Sequence, residues 1–471
     1  MFSLSDEIST SIPKNEINEN DGQTKSSSIT LQVEDLGPVG GTDSKDYFTK
    51  QEIENQKSFA DGDCIKLDDS ILAKHVLFLG GIGTGKTNAM NTLVKNIIKN
   101  MKKEDKIIFF DTKGDYLKFY EENNDKHFVI SNKEDESEKI GKSFNFVKWN
   151  LMKEIMCDQE EFQEETANEI ARTMFDSALK NSKDSFFPNA ARQVTHAVLM
   201  SLLRSNKDAT NNDLKEIFQS DEPSSAEWIG KITAILENYP SMKWVLRNIP
   251  NDATQQTSGI ISEIQVVMGD LFSGKYGNAG KFSIREFIRK TQESAALFIE
   301  YDIGAGQTLT PIYRILIDLA IKETLSRSRG EGKIYFVLDE FGRLPNLNLI
   351  EPGINYGREL GARFLVGSQT VGQIVNAYNK EIAYSILSGF GTVFAFNLFD
   401  TESREFVSGR YGSLRKLISY RSDQNGQFKN ETVSGKLIED WDISNLELGE
   451  AIASIPNEYP RKIKFLPFSN T

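Results

Sequence analysis

The sequence predicts an α/β fold, with a central, mainly parallel sheet and an all-α domain inserted into it. Three observations carry this. A glycine-rich loop, GGIGTGKT at 80–87, stands between an apolar run and a stretch with helical spacing. Other short, wholly apolar runs end in polar residues, as strands buried on both faces do. Between about 150 and 282 the apolar positions recur only at helical intervals.

The chain has 471 residues, room for two domains plus extensions. Its 39% hydrophobic content supports a sizeable core, and its net charge of −13 excludes a surface that is basic all over. Residues 1–60 hold 11 acidic and five basic side chains and are rich in Ser, Asn and Gln, so an acidic, disordered tail is expected there, with docking of a partner as the alternative role. From residue 61 the pattern becomes regular. CIKL (64–67) and HVLFLG (75–80) read as strands. Ala89, Met90, Leu93, Val94, Ile97 and Ile98 mark a helix after the loop. KIIFFD (106–111) and HFVIS (127–131) are again strands.

The middle carries three helical stripes: Phe162, Thr166, Ile170, Met174 and Ala178; Val194, Ala197, Val198 and Leu202; and Ile260, Ile261, Ile264, Val267, Met268 and Leu271. SIRE (283–286) has the form of a helix start. AALFIEYD (295–302) returns to the sheet, and Thr310–Pro311 is expected to open a helix. KIYFVLDEF (333–341), RFLVGSQ (363–369) and TVFAFNLF (392–399) are further strands, and EAIASI with KIKFLPF is expected to form a closing hairpin at the sheet edge. The expected division is a tail at 1–60, the first part of the sheet domain at 61–149, an all-α domain at 150–284 and the second part of the sheet domain at 285–471.

The loop matches G-x-x-x-x-G-K-[ST]. Gly80, Gly81, Ile82, Gly83, Thr84 and Gly85 would curl the backbone so that its N–H groups face phosphate oxygens, aided by the positive end of the following helix. Lys86 would reach the β- and γ-phosphates of ATP, and the Thr87 hydroxyl would bind Mg2+. The sheet domain is therefore expected to be a RecA-like P-loop NTPase. Such a site needs a second acid: Asp339, at the end of IYFVL, is the expected metal partner, and Glu340 is placed to polarise water. Gln369 ends the next strand and would sense the γ-phosphate or orient that water; a solvated glutamine is the bland alternative. Asp111 also ends a strand and either faces the site or fixes its own turn. Arg358 would complete a neighbouring subunit's site, with Arg363 as the competitor and a plain surface role as the alternative.

Other features read as bland. His75 and His196 lack companions at metal-ligand spacing. Cys64 and Cys157 are far apart with no CxxC, as expected of reduced cytosolic thiols. SGRYGSLRKLISYRS (408–422) interleaves Arg410, Arg415, Lys416 and Arg421 with Tyr411 and Tyr420. FSGKYGNAGKF (272–282) carries Lys275 and Lys281. Either suits sequence-tolerant nucleic-acid contact or a solvated loop.

In order, KHVLFLGGIGTGKT, IIFFDTKGDYLKFY, SFNFVKWN, YFVLDEFGRLPNL, GRELGARFLVGSQT and FNLFDTESREFVSGRYG resemble the DNA-binding ATPase domain of type IV secretion coupling proteins. These are the TraD/TraG-type conjugation ATPases of the FtsK/HerA superfamily. The resemblance runs from about Cys64 onward. It implies that Lys86 and Thr87 bind nucleotide and metal, that Asp339 and Glu340 form the Walker B pair, that Gln369 senses the γ-phosphate and that Arg358 acts in trans. It also implies a hexameric ring that pumps DNA, with a relaxase and membrane-embedded secretion components as partners. Members usually begin with membrane-spanning helices, whereas no apolar run here approaches that length. A cytoplasmic ATPase peripheral to the inner face of the membrane is therefore expected. Two other readings stay open: a HerA-like motor serving a nuclease, and an ATP-regulated recruitment platform for protein or nucleoprotein cargo.

Overall fold

Eleven strands form one sheet in the order β2-β1-β13-β12-β9-β3-β8-β7-β4-β6-β5. They are β1 (Ile29–Pro38), β2 (Cys64–Leu67), β3 (Val76–Leu79), β4 (Lys106–Asp111), β5 (His127–Ile130), β6 (Ala295–Glu300), β7 (Ile334–Leu338), β8 (Ala362–Ser368), β9 (Thr392–Ala395), β12 (Glu450–Ser454) and β13 (Arg461–Phe465). The computed structural model describes residues 28–39, 64–122, 124–133, 143–219, 225–249, 255–290, 293–301, 304, 306–344, 346–421 and 428–468. From β9 to β5 all seven strands are parallel. Every residue of β3, β4, β6, β7, β8 and β9 is buried, because both faces are covered. Beyond β9 the pairing turns antiparallel through β12, β13, β1 and β2.

Alternate residues of these strands feed two cores. Val76, Phe78, Ile107 and Phe109 pack on one face with Ala89, Met90, Leu93, Val94 and Ile97 of the helix Lys86–Asn100. Leu77, Leu79, Ile108 and Phe110 pack on the other, in a core continuous with the helical region.

That region lies between the neighbouring strands β5 and β6, and includes helices Leu151–Met156, Gln163–Asn181, Phe186–Ser205, Asn211–Phe218, Ser225–Leu236, Gln255–Leu271 and Ile284–Arg289. At its base the buried Glu154 accepts hydrogen bonds from Trp149 Nε1 (2.8 Å), Ser283 Oγ (2.8 Å), and the N–H groups of Ile284 (2.7 Å) and Arg285 (3.2 Å). Arg285 in turn pairs with Asp158 and with Glu323 on the helix Gly306–Leu325, tying the insertion to the sheet domain. The anticipated stripes pack inward, with Ala178 and Val267 only partly buried, whereas Phe162 is 51% exposed and flanks its helix rather than packing beneath it.

Three expectations are corrected. Ile29–Pro38, within the segment expected to be disordered, is a strand: Ile29, Leu31 and Val33 alternate inward, and β1 fills the gap between β13 and β2, which puts the closing hairpin β12–β13 inside the sheet and not at its expected edge. Residues 1–27 and 40–60 lie outside the described residues. The helix expected to open at Thr310–Pro311 opens one turn earlier, at Gly306, leaving Pro311 inside it. Most of the basic stretch 408–422 is strand and not loop: β10 (Ser413–Arg421) pairs antiparallel with β11 (Phe428–Lys436) as a separate two-stranded sheet.

Candidate functional site

The carboxyl ends of β3, β8, β7 and β4 stand side by side, and a loop leaves each of them toward the same place. This is where parallel α/β sheets bind their ligands. The loop after β3 is GGIGTGKT. Gly83 (φ 76°) and Gly85 (φ 104°) adopt left-handed backbone that suits glycine. A Cβ on Gly85 would also stand 3.0 Å from the Gly449 Cα, so this loop and the turn before β12 need two glycines back to back. Neighbours hold the loop open: Gly80 N–H donates to Ser368 O (3.1 Å), Gly81 N–H to Asn397 O (3.0 Å), and Gly449 N–H to Thr84 O (3.0 Å). Gly85 caps the helix Lys86–Asn100, whose first-turn N–H groups have no intrahelical acceptor and suit an anion. Ile82 is 82% exposed at the tip, while Thr87 is half-buried in the first turn.

Lys86 is buried. Burial holds its ammonium below the usual value, opposed by the charges of Asp339 and Glu340. Asp339, at the end of β7, is also buried, and burial pushes its carboxyl up against the pull of Lys86. Its Oδ1 accepts the Glu340 N–H (3.0 Å). Room for it comes from Gly367 in β8, where a Cβ would lie 2.7 Å from Asp339 Oδ1. Glu340 takes left-handed backbone (φ 57°), which turns its side chain back into the site. Lys113 Nζ donates to Glu340 Oε1 (2.8 Å) and Gln369 Nε2 to Oε2 (2.7 Å). Burial alone would raise the Glu340 carboxyl, but these two bonds and the charges of Lys113 and Lys86 together hold it below the usual range.

Lys86, Asp339, Glu340 and Gln369 are thus brought together. Arg358 is not. It sits in the turn Gly357–Leu360 before β8, exposed, at the amino end of the strand whose other end leads to Gln369. Seven strand residues separate the ends, about 20 Å. Arg363 is buried and donates to the carbonyls of Arg358 (3.0 Å) and Ala362 (2.9 Å) and to Asp69 (3.3 Å), so it is a structural arginine. Asp111 fixes its own turn: its Oδ1 accepts from the N–H groups of Lys113, Gly114 and Asp115, and its Oδ2 from Tyr116. His75 Nδ1 accepts the Phe364 N–H (3.1 Å), so Nε2 donates to Ile354 O (2.9 Å), a buried structural role.

The basic candidates divide. Arg410 is committed to Ser454 Oγ (3.2 Å), Phe390 O (3.1 Å) and Gly391 O (2.9 Å), and Lys275 to Lys133 O, so neither is free for nucleic acid as expected. Lys281 is exposed. The side chains of Arg415, Lys416, Tyr420 and Arg421 lie outside the described residues.

Sequence reasoning missed Lys113. The only available signal was position: it lies two residues past the apolar run KIIFFD, and β4 pairs with β7.

The donor set fits a nucleotide-bound Mg2+. Asp339 is a buried acid whose charge burial disfavours, and a divalent cation would offset that cost. Among the described residues no three His, Cys, Asp or Glu cluster to form a protein cage. One carboxylate and one hydroxyl, completed by phosphates and water, is the usual Mg2+ pattern.

A phosphate loop, a buried acidic pair at a strand end and a neighbouring strand-end glutamine, all on one parallel sheet, define a P-loop nucleoside triphosphatase fold. Residues 64–420 match the family of type IV secretion-system coupling protein DNA-binding domains, and the chain belongs to that family. It is similar to coupling protein TraD of Escherichia coli, with 22% identity over 412 residues, 85% of this chain and 53% of TraD. It is also similar to the coupling protein VirD4 of Bartonella henselae, with 21% identity over 306 residues, 61% of this chain and 45% of VirD4. The chain spans about half the length of these relatives. Its fold is that of the bacterial conjugative coupling protein TrwBdeltaN70, with a TM-score of 0.66, 17% identity and coverage of 86% of this chain and 87% of the other. TrwB has also been solved in complex with ADP and Mg2+, again with a TM-score of 0.66 and with 15% identity, over 93% of this chain and 96% of the other. No helix among the described residues is long and apolar enough to cross a membrane.

Proposed function

We propose that this chain is the ATPase motor of a conjugative type IV secretion coupling protein, hydrolysing Mg2+-bound ATP to pump or remodel DNA through a homo-oligomeric ring. The observation that carries this reading is the convergence of Lys86, Asp339, Glu340 and Gln369 in a chain of the coupling-protein family. TrwB, with ADP and Mg2+ bound, supports the same ligands here.

In this reading the backbone of residues 80–87 cradles the phosphates, and Lys86 stays with the β- and γ-phosphates as charge migrates. Thr87 and Asp339 would hold Mg2+, which when bound would neutralise charge on the phosphate oxygens. Glu340 takes the proton of an in-line water while Gln369 aligns that water and reads the γ-phosphate. Burial of Lys86, Asp339 and Glu340 strengthens these interactions, because little water screens them.

Arg358 is assigned to a neighbouring subunit's site. Its exposure, beside Tyr356 at 75%, at the far end of β8 supports a group offered outward. Ile82, Phe399 (77% exposed) and Leu448 (70%) form an apolar rim by the phosphate loop of the kind a second subunit covers. A hexamer, the FtsK/HerA arrangement, is the ring we assign. DNA binding would be sequence-tolerant, through phosphate contacts multiplied around the ring. A relaxase and membrane-embedded secretion components would be the partners, on the cytoplasmic side of the membrane.

The test is ATP binding and hydrolysis by the purified chain. Lys86→Ala should abolish turnover, whereas Glu340→Gln should bind ATP normally but lose about a hundredfold or more in rate, the usual share of a general base. Near-normal turnover in either variant contradicts the site assignment.

A further inference from the structure

The carboxylate that activates water must be aimed as well as present, and Glu340 is held in an unusual way. Its backbone is left-handed, its side chain is only 5% exposed, and its partners come from strand ends on both sides of its own. Gln369, after β8, donates to Oε2, and Lys113, after β4, donates to Oε1; β7, which carries Glu340, runs between them. The Arg343 Nε, at 4.0 Å from Oε2, completes the polar surroundings. A carboxylate has about four acceptor positions, so two donors fix its plane and still leave lone pairs for a water.

The Lys113 arm has a firm base. All four backbone N–H groups from Lys113 to Tyr116 are collected by Asp111, so the turn that launches Lys113 is set before any ligand arrives. The lysine itself is 46% exposed. An ion pair open to solvent on the cation's side contributes little to folding, so its geometry matters more than its stabilisation.

We propose that Lys113 is a positioning residue for ATP hydrolysis: with Gln369 it forms a two-armed fork that aims the Glu340 carboxylate at the attacking water. This rests on the reading of Glu340 as the water-activating group. Lys113 acts through Glu340 and not on the nucleotide, so it governs turnover and not substrate affinity.

The test compares Lys113→Met, which keeps the stem and removes the charge, with Lys113→Arg, which keeps a cationic donor. In the full chain Lys113→Met should lower kcat by about tenfold to a hundredfold, the effect of misaiming a reacting group. KM for ATP and the melting temperature should stay near wild type, and Lys113→Arg should recover most of the loss. In a Glu340→Gln background Lys113→Met should add no further loss. A second readout needs no turnover: acetylation of the Lys113 amine in nucleotide-free protein, followed by mass spectrometry, should accelerate severalfold in Glu340→Ala while exposed lysines elsewhere react as before. A raised KM at unchanged kcat, an additive loss in the Glu340→Gln background, or Lys113 reactivity indifferent to Glu340 would each overturn the proposal. Wild-type protein that hydrolyses no ATP, with or without DNA, contradicts the ATPase reading, and this inference falls with it. Active wild type with an unaffected Lys113→Met contradicts the inference alone.

Discussion

His75 shows how a single side chain can bind the site's scaffold to pH. It stands immediately before β3, and its neutral ring bridges the Phe364 N–H of β8 and the Ile354 carbonyl of the helix Ile350–Tyr356. Protonation would set a second N–H against the Phe364 donor. Burial pushes its pKa down from 6.5 to about 4. The folded value is depressed, so the stability it contributes is present above pH 6.5 and is lost as the pH falls toward 4. That displacement corresponds to on the order of 3 kcal/mol. We expect the urea midpoint of the wild type to fall across this window, and that of His75→Asn, less stable overall, to fall less. Parallel pH curves for the two proteins would show that His75 is not the titrating group. Much of the site was legible one residue at a time, because Lys86, Thr87, Asp339 and Gln369 each follow an apolar run that ends in a loop. Lys113 was not legible: its part depends on β4 lying beside β7, a pairing between residues more than 200 positions apart.

Among the elements, β1 carries the clearest lesson. ITLQV alternates with a period of two, yet only over a few residues and amid a polar, acidic stretch. What makes it a strand is β13, to which Val33 pairs at Phe465, far along the chain. Composition reads neighbours in sequence and so favoured disorder. The β10–β11 hairpin escaped notice for a related reason, its cations masking the strand pattern. By contrast, the buried parallel strands and the helical insertion were plain, since the strands are unbroken apolar runs and the insertion repeats at helical spacing throughout. If β1 belongs to the core, Leu31→Ala, at a fully buried position, should cost about 2–5 kcal/mol in chemical denaturation. Glu34→Ala, on the exposed side, should stay within about 0.5 kcal/mol. Equal, negligible effects would mean that the segment does not pair with β13 in solution.

For the whole molecule the two ends of β8 carry different groups. One end of β8 leads to Gln369 in the chain's own site, and the other is preceded by Arg358, about 20 Å away and exposed. A residue so placed can serve ATP hydrolysis only in a second copy. Mixing Arg358→Ala with Lys86→Ala subunits should then restore part of the ATPase activity that each lacks alone, because some interfaces carry both intact halves. No recovery at any ratio, in mixed rings verified by mass, would remove the role in trans. The proposed motor couples hydrolysis at that site to DNA, and this link is the centre of the account. The most direct measurement is steady-state ATP turnover titrated with single- and double-stranded DNA of unrelated sequence at low and high salt. The account predicts stimulation that is indifferent to sequence and falls steeply as salt rises. Assembled, ATP-bound protein whose turnover no DNA alters at low salt would contradict it, and would favour an ATP-regulated platform for cargo instead.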